Sequence, residues 1–185
     1  METENVPLEN EENQNENYEQ EENTLAQEAE IVLITTSLGG IKSSFFSSLR
    51  AHQLLNCKKY IYFSIDANRD TSSAKNLKDI ELFNKWKKGM ILLSNENGIV
   101  LPQILIDGVP LGNDVTLQNL EDEGILDYII ARLKCPNCLI DKSNIEERCP
   151  GCKKYYVTLI TDDLIQSDSV IRILQGEPYK EPENE

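Results

Sequence analysis

The sequence predicts an α/β fold in which helices cover a mixed four-stranded sheet, followed by a small cysteine-rich module. Two apolar, β-branched runs flank an amphipathic helix, an order typical of two parallel strands joined by a crossover. A later apolar run turns back at Asp107–Gly108, which is typical of an antiparallel hairpin. Four cysteines then follow as two C-P-x-C pairs.

Charge is distributed unevenly along the 185 residues, whose net charge is −14. Residues 1–30 hold eleven Glu and no Lys or Arg, so the rest carries 21 acidic against 18 basic residues. A segment as polar as residues 1–30 cannot bury enough apolar surface to offset the entropy that it would lose on ordering. We therefore predict disordered tails at residues 1–29 and 176–185. The acidic tail is interpreted as a solubilising segment, and the alternative is a docking segment for a basic partner.

Composition also bears on partners and location. Nucleic acid is not expected as a partner, because an acidic chain repels phosphate. No membrane association is expected, since the apolar runs are too short to span a bilayer and no basic-then-apolar signal peptide opens the chain. The protein is therefore expected in the cytoplasm, where thiols stay reduced.

The first two strands and the helix between them are predicted within residues 30–66. Residues 30–36 are apolar and β-branched, which suits a strand buried on both faces. Residues 58–66 form a second strand rich in aromatic and β-branched residues. Between them the apolar spacing is helical. Its predicted inward face is formed by Ile41, Phe45, Leu49 and His52, widened by Phe46, Leu54 and Leu55.

A second helix, a hairpin and a broken helix follow. Residues 74–88 form an amphipathic helix whose inward residues are Leu77, Ile80, Phe83 and Trp86. Residues 101–108 give a third strand, and residues 109–112 a short fourth. The helical pattern from 114 to 134 breaks near Gly124.

Residues 30–134 resemble the thioredoxin fold in its smaller glutaredoxin form. "IVLITTSLGGIKSSFFSSLRAHQLL" is similar to the glutaredoxin opening, where a strand precedes C-P-Y-C and a long helix. "VLPQILIDGVPLG" resembles the Thr-Val-Pro segment and the Gly-Gly turn after it. "TTSLGGIK" is closer to the glutaredoxin-like proteins with a cysteine-rich C-terminus. "FNKWKKG" and "LPQILIDG" are similar to segments of the SH3-domain-binding glutamic-acid-rich-like proteins, which have this fold without an active-site cysteine.

The resemblance implies that the catalytic thiol is missing. Gly39 stands where glutaredoxins have the nucleophilic cysteine, and Lys42 stands at the second cysteine. Attack on a disulfide requires a thiolate, so no enzymatic activity is expected here. Cys57 comes about 16 residues later, ~24 Å along a helix. We predict that it packs beneath the sheet as a small apolar group.

The resemblance also implies a glutathione groove at Leu101, Pro102, Gly112 and Asp114. In glutaredoxins the backbone beside the cis-proline pairs with the tripeptide, and Leu101–Pro102 corresponds to that site. The family's basic residue before the active site is Thr36 here, and the acid at Asp114 comes early. These losses disfavour glutathione as a ligand. The favoured interpretation is structural, with Pro102 shaping a turn and Gly112 relieving a strained φ.

Residues 135–175 are predicted to form a zinc ribbon-like module with its own core. Two residues between cysteines let one tight turn direct both sulfurs at a single ion, and two such turns complete a tetrahedron. N–H groups beyond each proline could bond to the thiolates. Residues 155–163 would form the next strand and 164–174 a short helix. The expected Zn²⁺ ligands are Cys135, Cys138, Cys149 and Cys152.

The sequence therefore predicts a non-catalytic glutaredoxin-like protein with a structural zinc site. Four cysteines close the site, so a catalytic zinc is not expected. The expected role is protein–protein interaction, as an adaptor or assembly factor. The alternative is a thiol-disulfide redox protein, or a redox switch whose C-x-x-C pairs release zinc on oxidation. An interaction surface has no motif comparable to a metal site, so the sequence leaves the partner open.

Overall fold

The computed structural model describes residues 28–37, 42–67 and 74–174, without the side chains of residues 74–77. These ranges contain seven strands and five helices. The strands are β1 (Ile31–Thr35), β2 (Tyr62–Asp66), β3 (Ser94–Asn95), β4 (Gly98–Ile99), β5 (Gln103–Ile106), β6 (Val109–Gly112) and β7 (Ile171–Ile173). The helices are α1 (Lys42–Cys57), α2 (Ala74–Lys88), α3 (Asp114–Asp122), α4 (Leu126–Ile130) and α5 (Asp162–Gln166). None of these helices is long and apolar enough to cross a membrane.

The main sheet has the strand order β6-β5-β1-β2-β7. β1 and β2 are parallel, while β5 is antiparallel to β1, β6 to β5, and β7 to β2. The strands β1, β2, β5 and β6 and their helices have the order and directions of the α/β glutaredoxin-like fold, which confirms the predicted fold class. The predicted count of four strands is wrong, because β7 adds a fifth strand at the outer edge of β2.

Apolar residues fill both faces of this sheet, because side chains alternate along each strand. Ile31 and Leu33 of β1 pack in one cluster with residues of α1, α3 and α4. Val32 and Ile34 pack in the other, with residues of α2 such as Trp86. All of β1 is buried, as the sequence predicts for a strand covered on both sides.

The inward face of α1 agrees with the prediction only in part. Its buried residues are Ser48, Ala51, His52 and Leu55. His52 and Leu55 are buried as predicted. Phe45 and Leu49 are only half-buried, Phe46 is exposed, and Ile41 lies outside the described residues. The prediction that Cys57 packs beneath the sheet is wrong, since Cys57 is exposed. It follows Leu55 by two positions, about 200° around the helix, and so faces away from the core.

α2 has the predicted bounds, and its position on the sheet depends on two large apolar side chains. Leu82 and Trp86 are buried, whereas Ile80 and Phe83 are half-buried or less and the side chain of Leu77 is not described. The hairpin of β3 and β4 was not predicted. The buried Gln103 holds the residue before that hairpin, because its side-chain amide oxygen accepts a hydrogen bond from Leu93 N at 2.8 Å.

The turn from β6 into α3 supports the structural interpretation of Gly112. Its φ is +141°, and a Cβ there would lie 2.6 Å from Thr116 Oγ1. Asn113 caps the helix by accepting from Thr116 N at 3.1 Å. The predicted break near Gly124 is confirmed, because α3 ends at Asp122 and α4 begins at Leu126.

The last part of the chain packs against the main sheet. Residues 155–163 do not form the predicted strand beyond one bridge at Tyr155, and residues 164–174 give the end of α5 followed by β7. Ile160, Val170 and Ile173 are buried in the two main clusters. The prediction of a separate core for the cysteine module is therefore wrong, because the apolar residues after the module join the sheet instead.

Candidate metal centre

The first C-P-x-C pair folds into a tight turn after α4. Cys135 N donates to Ile140 O at 3.0 Å, and Leu139 N donates back to Cys135 O at 2.9 Å. Leu139 has φ +59°, a left-handed conformation that closes the turn. A bridge between Lys134 and Asp141 follows on the outside.

The second pair repeats this geometry residue for residue. Cys149 N donates to Lys154 O at 2.8 Å, and Lys153 N donates to Cys149 O at 3.1 Å. Lys153 has φ +64°, matching Leu139 in the first turn. Arg148 and Tyr155 form the outer bridge. The two turns are therefore equivalent knuckles, each held by the same backbone bonds.

The knuckles bring the four predicted ligand sulfurs together. All four Sγ atoms lie within 4.8 Å of one another. Cys135 Sγ is 3.7 Å from Cys152 Sγ, and Cys138 Sγ is 3.5 Å from Cys149 Sγ. Four sulfurs at about 2.3 Å from a tetrahedral Zn²⁺ would be about 3.8 Å apart. The predicted cluster is confirmed, and its dimensions fit zinc.

Backbone donors point at the sulfurs as the sequence predicts. Asn137 N lies 3.4 Å from Cys135 Sγ, and Cys152 N lies 3.4 Å from Cys149 Sγ. Such bonds stabilise thiolates, the form in which cysteine binds metal. Gly151 also matters for packing, since a Cβ there would come within 2.4 Å of Ile140 Cδ1.

The two buried cysteines differ in acidity. Burial raises the pKa of the Cys135 thiol to about 11. Burial also acts to raise the pKa of Cys149, but hydrogen bonds outweigh it and lower that pKa to about 6. The largest of these comes from the backbone of Cys152, followed by the side chain of Cys135 and the backbone of Gly151. For Cys152, a backbone hydrogen bond with Lys154 is the main cause of a lowered pKa. Backbone hydrogen bonds of the second knuckle thus favour the thiolate form of Cys149 and Cys152.

Tyr156 also reaches the cluster, and sequence reasoning missed it. Its hydroxyl oxygen is buried, whereas the adjacent Tyr155 is 63% exposed. Burial raises the pKa of Tyr156, and its contacts with Cys135 and Cys149 raise it further. The available signal was the Tyr-Tyr pair after the last cysteine, since an extended chain directs successive side chains to opposite sides.

The residues of the predicted glutathione groove lie around one end of the β5–β6 hairpin. The Leu101–Pro102 peptide is cis, and Pro102 is buried at the entrance to β5. Gly112 pairs with Ile104 across the hairpin, and Asp114 begins α3. Gly39 lies outside the described residues, and Lys42 is exposed as the first residue of α1.

Asp114 has an intramolecular partner in this end of the fold. Its carboxylate is buried and lies 2.9 Å from Arg50 Nε and 2.7 Å from Arg50 Nη2. Arg50 extends from α1, and its own side chain is 58% exposed. The negative charge of Asp114 is therefore already balanced by a cation of the same chain.

Neither a protein-family model nor a curated protein matches this chain. The fold search finds solved glutaredoxins at low identity. The buckwheat glutaredoxin–glutathione complex is 13% identical at a TM-score of 0.38, covering 58% of this chain and 82% of that one. The holo form of glutaredoxin C1 from Populus tremula x tremuloides is 15% identical at a TM-score of 0.39, and the match covers 64% of this chain and 88% of that one. The dithiolic glutaredoxin 2-C-Grx1 of Trypanosoma brucei brucei is 16% identical at a TM-score of 0.38, and the match covers 57% of this chain and 91% of that one. The chain therefore bears a distant structural similarity to glutaredoxins. Its fold is assigned from the strand order and pairing described above.

Proposed function

We propose that this protein is a non-catalytic glutaredoxin-like adaptor or assembly factor whose cysteine cluster holds one structural Zn²⁺. The observation that carries the metal assignment is the convergence of four sulfurs from two equivalent knuckles, within 4.8 Å of one another. Cys135, Cys138, Cys149 and Cys152 would be the ligands. Zinc would supply a cross-link between the knuckles, and four thiolates leave no open position for catalysis.

The absence of activity is proposed from the residues at the expected thiol positions. Gly39 and Lys42 cannot form the thiolate that disulfide exchange needs. The ion pair of Asp114 with Arg50 further disfavours glutathione, because a ligand's ammonium group would have to displace the guanidinium. We therefore propose that the glutaredoxin-like part acts as a scaffold.

An interaction role is supported by apolar residues exposed on and beside the knuckles. Ile145 is 84% exposed, and Tyr155 is 63% exposed. Several large apolar side chains exposed within one small module are typical of binding surfaces. We propose a protein partner, and a cytoplasmic location in which the cysteines stay reduced. The exposed apolar side chains of this part of the chain are Leu133, Ile140, Ile145, Tyr155 and Val157.

The redox alternative is supported by the short sulfur distances. The contacts at 3.7 and 3.5 Å join opposite knuckles, Cys135 with Cys152 and Cys138 with Cys149. Oxidation of either pair by glutathione disulfide would form one protein S–S bond. Two electrons would pass from the two thiolates to the oxidant, the two glutathione thiolates set free would take up protons from water, and zinc would be released.

Metal analysis tests the proposal. Protein purified reduced and without chelator should contain about one zinc per chain by native mass spectrometry. Cys138→Ser should lose the zinc, and Cys57→Ser, which removes an exposed cysteine away from the cluster, should retain it. Metal-free wild type would refute the zinc assignment. Disulfide reductase turnover that disappears in Cys135→Ser or Cys149→Ser would favour the redox alternative.

The interaction role needs a test on the whole chain, because residues 160–173 complete the core of residues 30–134. Ile145→Asp should reduce capture of a cellular protein partner while leaving the fold and zinc content unchanged. Met90→Asp is the matched control, since Met90 is 89% exposed but follows α2, far along the chain from the knuckles. Equal capture by wild type and both variants would contradict the proposed surface.

A further inference from the structure

The Tyr156 hydroxyl lies in an environment that water does not reach. Its oxygen is buried, and no group in the described part of the chain makes a hydrogen bond of ordinary geometry with it. The groups that interact with it are the thiols of Cys135 and Cys149. A buried hydroxyl without a partner is costly, so such a group generally has a donor or acceptor role that the bare protein does not reveal.

The ring of Tyr156 is held in place from two sides. Tyr156 N donates to Glu147 O at 2.9 Å, which fixes the backbone beside the second knuckle. Lys142 Nζ lies 4.7 Å from the ring centroid. That ammonium is itself anchored by Arg132 O at 2.9 Å and Ser143 O at 2.8 Å. The Tyr156 backbone and ring thus each have a partner within the module, while its hydroxyl interacts with the thiols of Cys135 and Cys149.

The two sulfurs that Tyr156 meets are equivalent by position. Cys135 and Cys149 are the first cysteines of the two knuckles, and both are fully buried. Each already has a backbone donor from its own knuckle. A donor shared between them would link the two buried cysteines of the two knuckles.

We propose that the Tyr156 hydroxyl donates its proton to the thiolates of Cys135 and Cys149 in the zinc-bound protein and acts as a positioning residue for the centre. This inference rests on the proposed zinc site. The four thiolates fill a tetrahedron, so the oxygen is a donor to the ligands and not a fifth ligand. Donation withdraws electron density from sulfur, which stabilises the charged centre and makes its sulfurs poorer nucleophiles. Tyr156 therefore favours a structural, oxidation-resistant site.

The test compares Tyr156→Phe with Tyr155→Phe in the full chain. Tyr155 is the adjacent, exposed residue, and its ring contacts Arg148 instead of the cluster. Zinc affinity is measured by competition with a chromophoric chelator, and the Co²⁺-substituted proteins are compared by their sulfur-to-cobalt absorption. We expect Tyr156→Phe to weaken zinc binding on the order of 10-fold, to shift that absorption, and to speed zinc release by hydrogen peroxide. Tyr155→Phe should match wild type.

The sign of the effect is decisive. If the hydroxyl had no partner in the metal-bound state, removing it would leave zinc affinity unchanged or improved, and either result would overturn the proposal. Wild type that binds no zinc would instead reject the proposed metal site itself. If Tyr156→Phe does not fold, ¹¹³Cd-substituted wild type supplies the second measurement. A slowly exchanging Tyr156 hydroxyl proton coupled to ¹¹³Cd would support donation, and a rapidly exchanging, uncoupled one would overturn it.

Discussion

Arg132 donates two hydrogen bonds to the carboxylate of Asp107, from Nε at 2.8 Å and from Nη2 at 2.7 Å. Asp107 occupies the turn between β5 and β6, and Arg132 lies between α4 and the first knuckle. The same carboxylate accepts from Glu30 N at 2.9 Å, and the Asp107 carbonyl accepts from Val157 N at 2.9 Å. This one residue therefore connects β1, the hairpin and both ends of the cysteine module.

Arg132→Met should lower the free energy of unfolding by about 2 kcal/mol. The two side chains are only 25% and 11% exposed, so removing the guanidinium leaves a largely buried carboxylate uncompensated. The expected loss is below the ~3–5 kcal/mol typical of fully buried pairs, because water still reaches part of this one. Urea unfolding followed by circular dichroism measures the change.

Lys78→Met is the matched control for this ion pair. Lys78 and Glu81 pair on α2 at 3.1 Å, but their side chains are 38% and 68% exposed. Exposed pairs of this kind contribute roughly 0–1 kcal/mol. If Arg132→Met lowers the free energy of unfolding no more than Lys78→Met does, Asp107 does not need the guanidinium in the folded state.

Cys138→Ser should loosen the module and also the strand that follows it. The glutamate Glu30 accepts from Leu159 N at 2.7 Å and from Ile160 N at 3.1 Å, and β7 pairs with β2 beyond them. With zinc binding lost, the ordered connection to these residues becomes a long loop, whose closure costs entropy. Hydrogen exchange should show full loss of protection in the knuckles and partial loss in β7.

Cys57→Ser is the control, because Cys57 is exposed at the end of α1 and away from the cluster. It should leave hydrogen exchange unchanged throughout. If Cys138→Ser left β7 as well protected as in wild type, the strand would be independent of the module. Complete loss of protection in β1 and β5 would indicate that the whole fold requires the metal.

Local patterns in the sequence were sufficient for most of the glutaredoxin-like part. The bounds of α2 and the break near Gly124 follow from apolar spacing and from glycine, both of which act over a few residues. β7 could not be predicted in this way. It is three residues long, and its stability depends on pairing with β2, more than a hundred residues earlier.

In the candidate site, too, features set by local sequence were predictable and features set by distant contacts were not. The convergence of four cysteines was predictable, because each C-P-x-C spacing fixes one turn and two turns make one cluster. Tyr156 was not, since its burial depends on how the chain leaves the second knuckle and on the position of Lys142. The partner of Asp114 was also hidden, as Arg50 lies 64 residues earlier on another helix.

Gly39→Cys tests whether only the nucleophile is missing from the glutaredoxin-like part. A thiol placed before α1 would lie near the helix N-terminus and Lys42, both of which favour a thiolate. We expect the variant to remain inactive toward a glutathione mixed disulfide, because Thr36 replaces a basic residue and Arg50 already pairs with Asp114. Wild type should be equally inactive. Turnover is measured with glutathione and a coupled reductase.

The same substitution in a Cys57→Ser background removes the exposed thiol of α1 as a source of turnover. Reductase activity that appears only when Gly39→Cys is present would show an intact groove and contradict the proposed scaffold role. Calorimetry with glutathione gives a second measurement, and no heat of binding is expected for either protein.

His52 should make the fold less stable in acid. It is 1% exposed in α1, with Nδ1 2.9 Å from Tyr62 Oη, and burial lowers its pKa from 6.5 to about 4. The unfolded chain therefore takes up a proton below pH 6.5, while the folded chain does so only near pH 4. The contribution to stability is complete above pH 6.5 and is lost as the pH falls to 4, about 3 kcal/mol in all.

His52→Gln cannot take up this proton. With chelator present in both samples, the unfolding free energy of wild type should fall by about that amount relative to the variant between pH 7 and 4. Parallel pH curves for the two proteins would show that His52 is already protonated in the fold or that its pKa is unshifted.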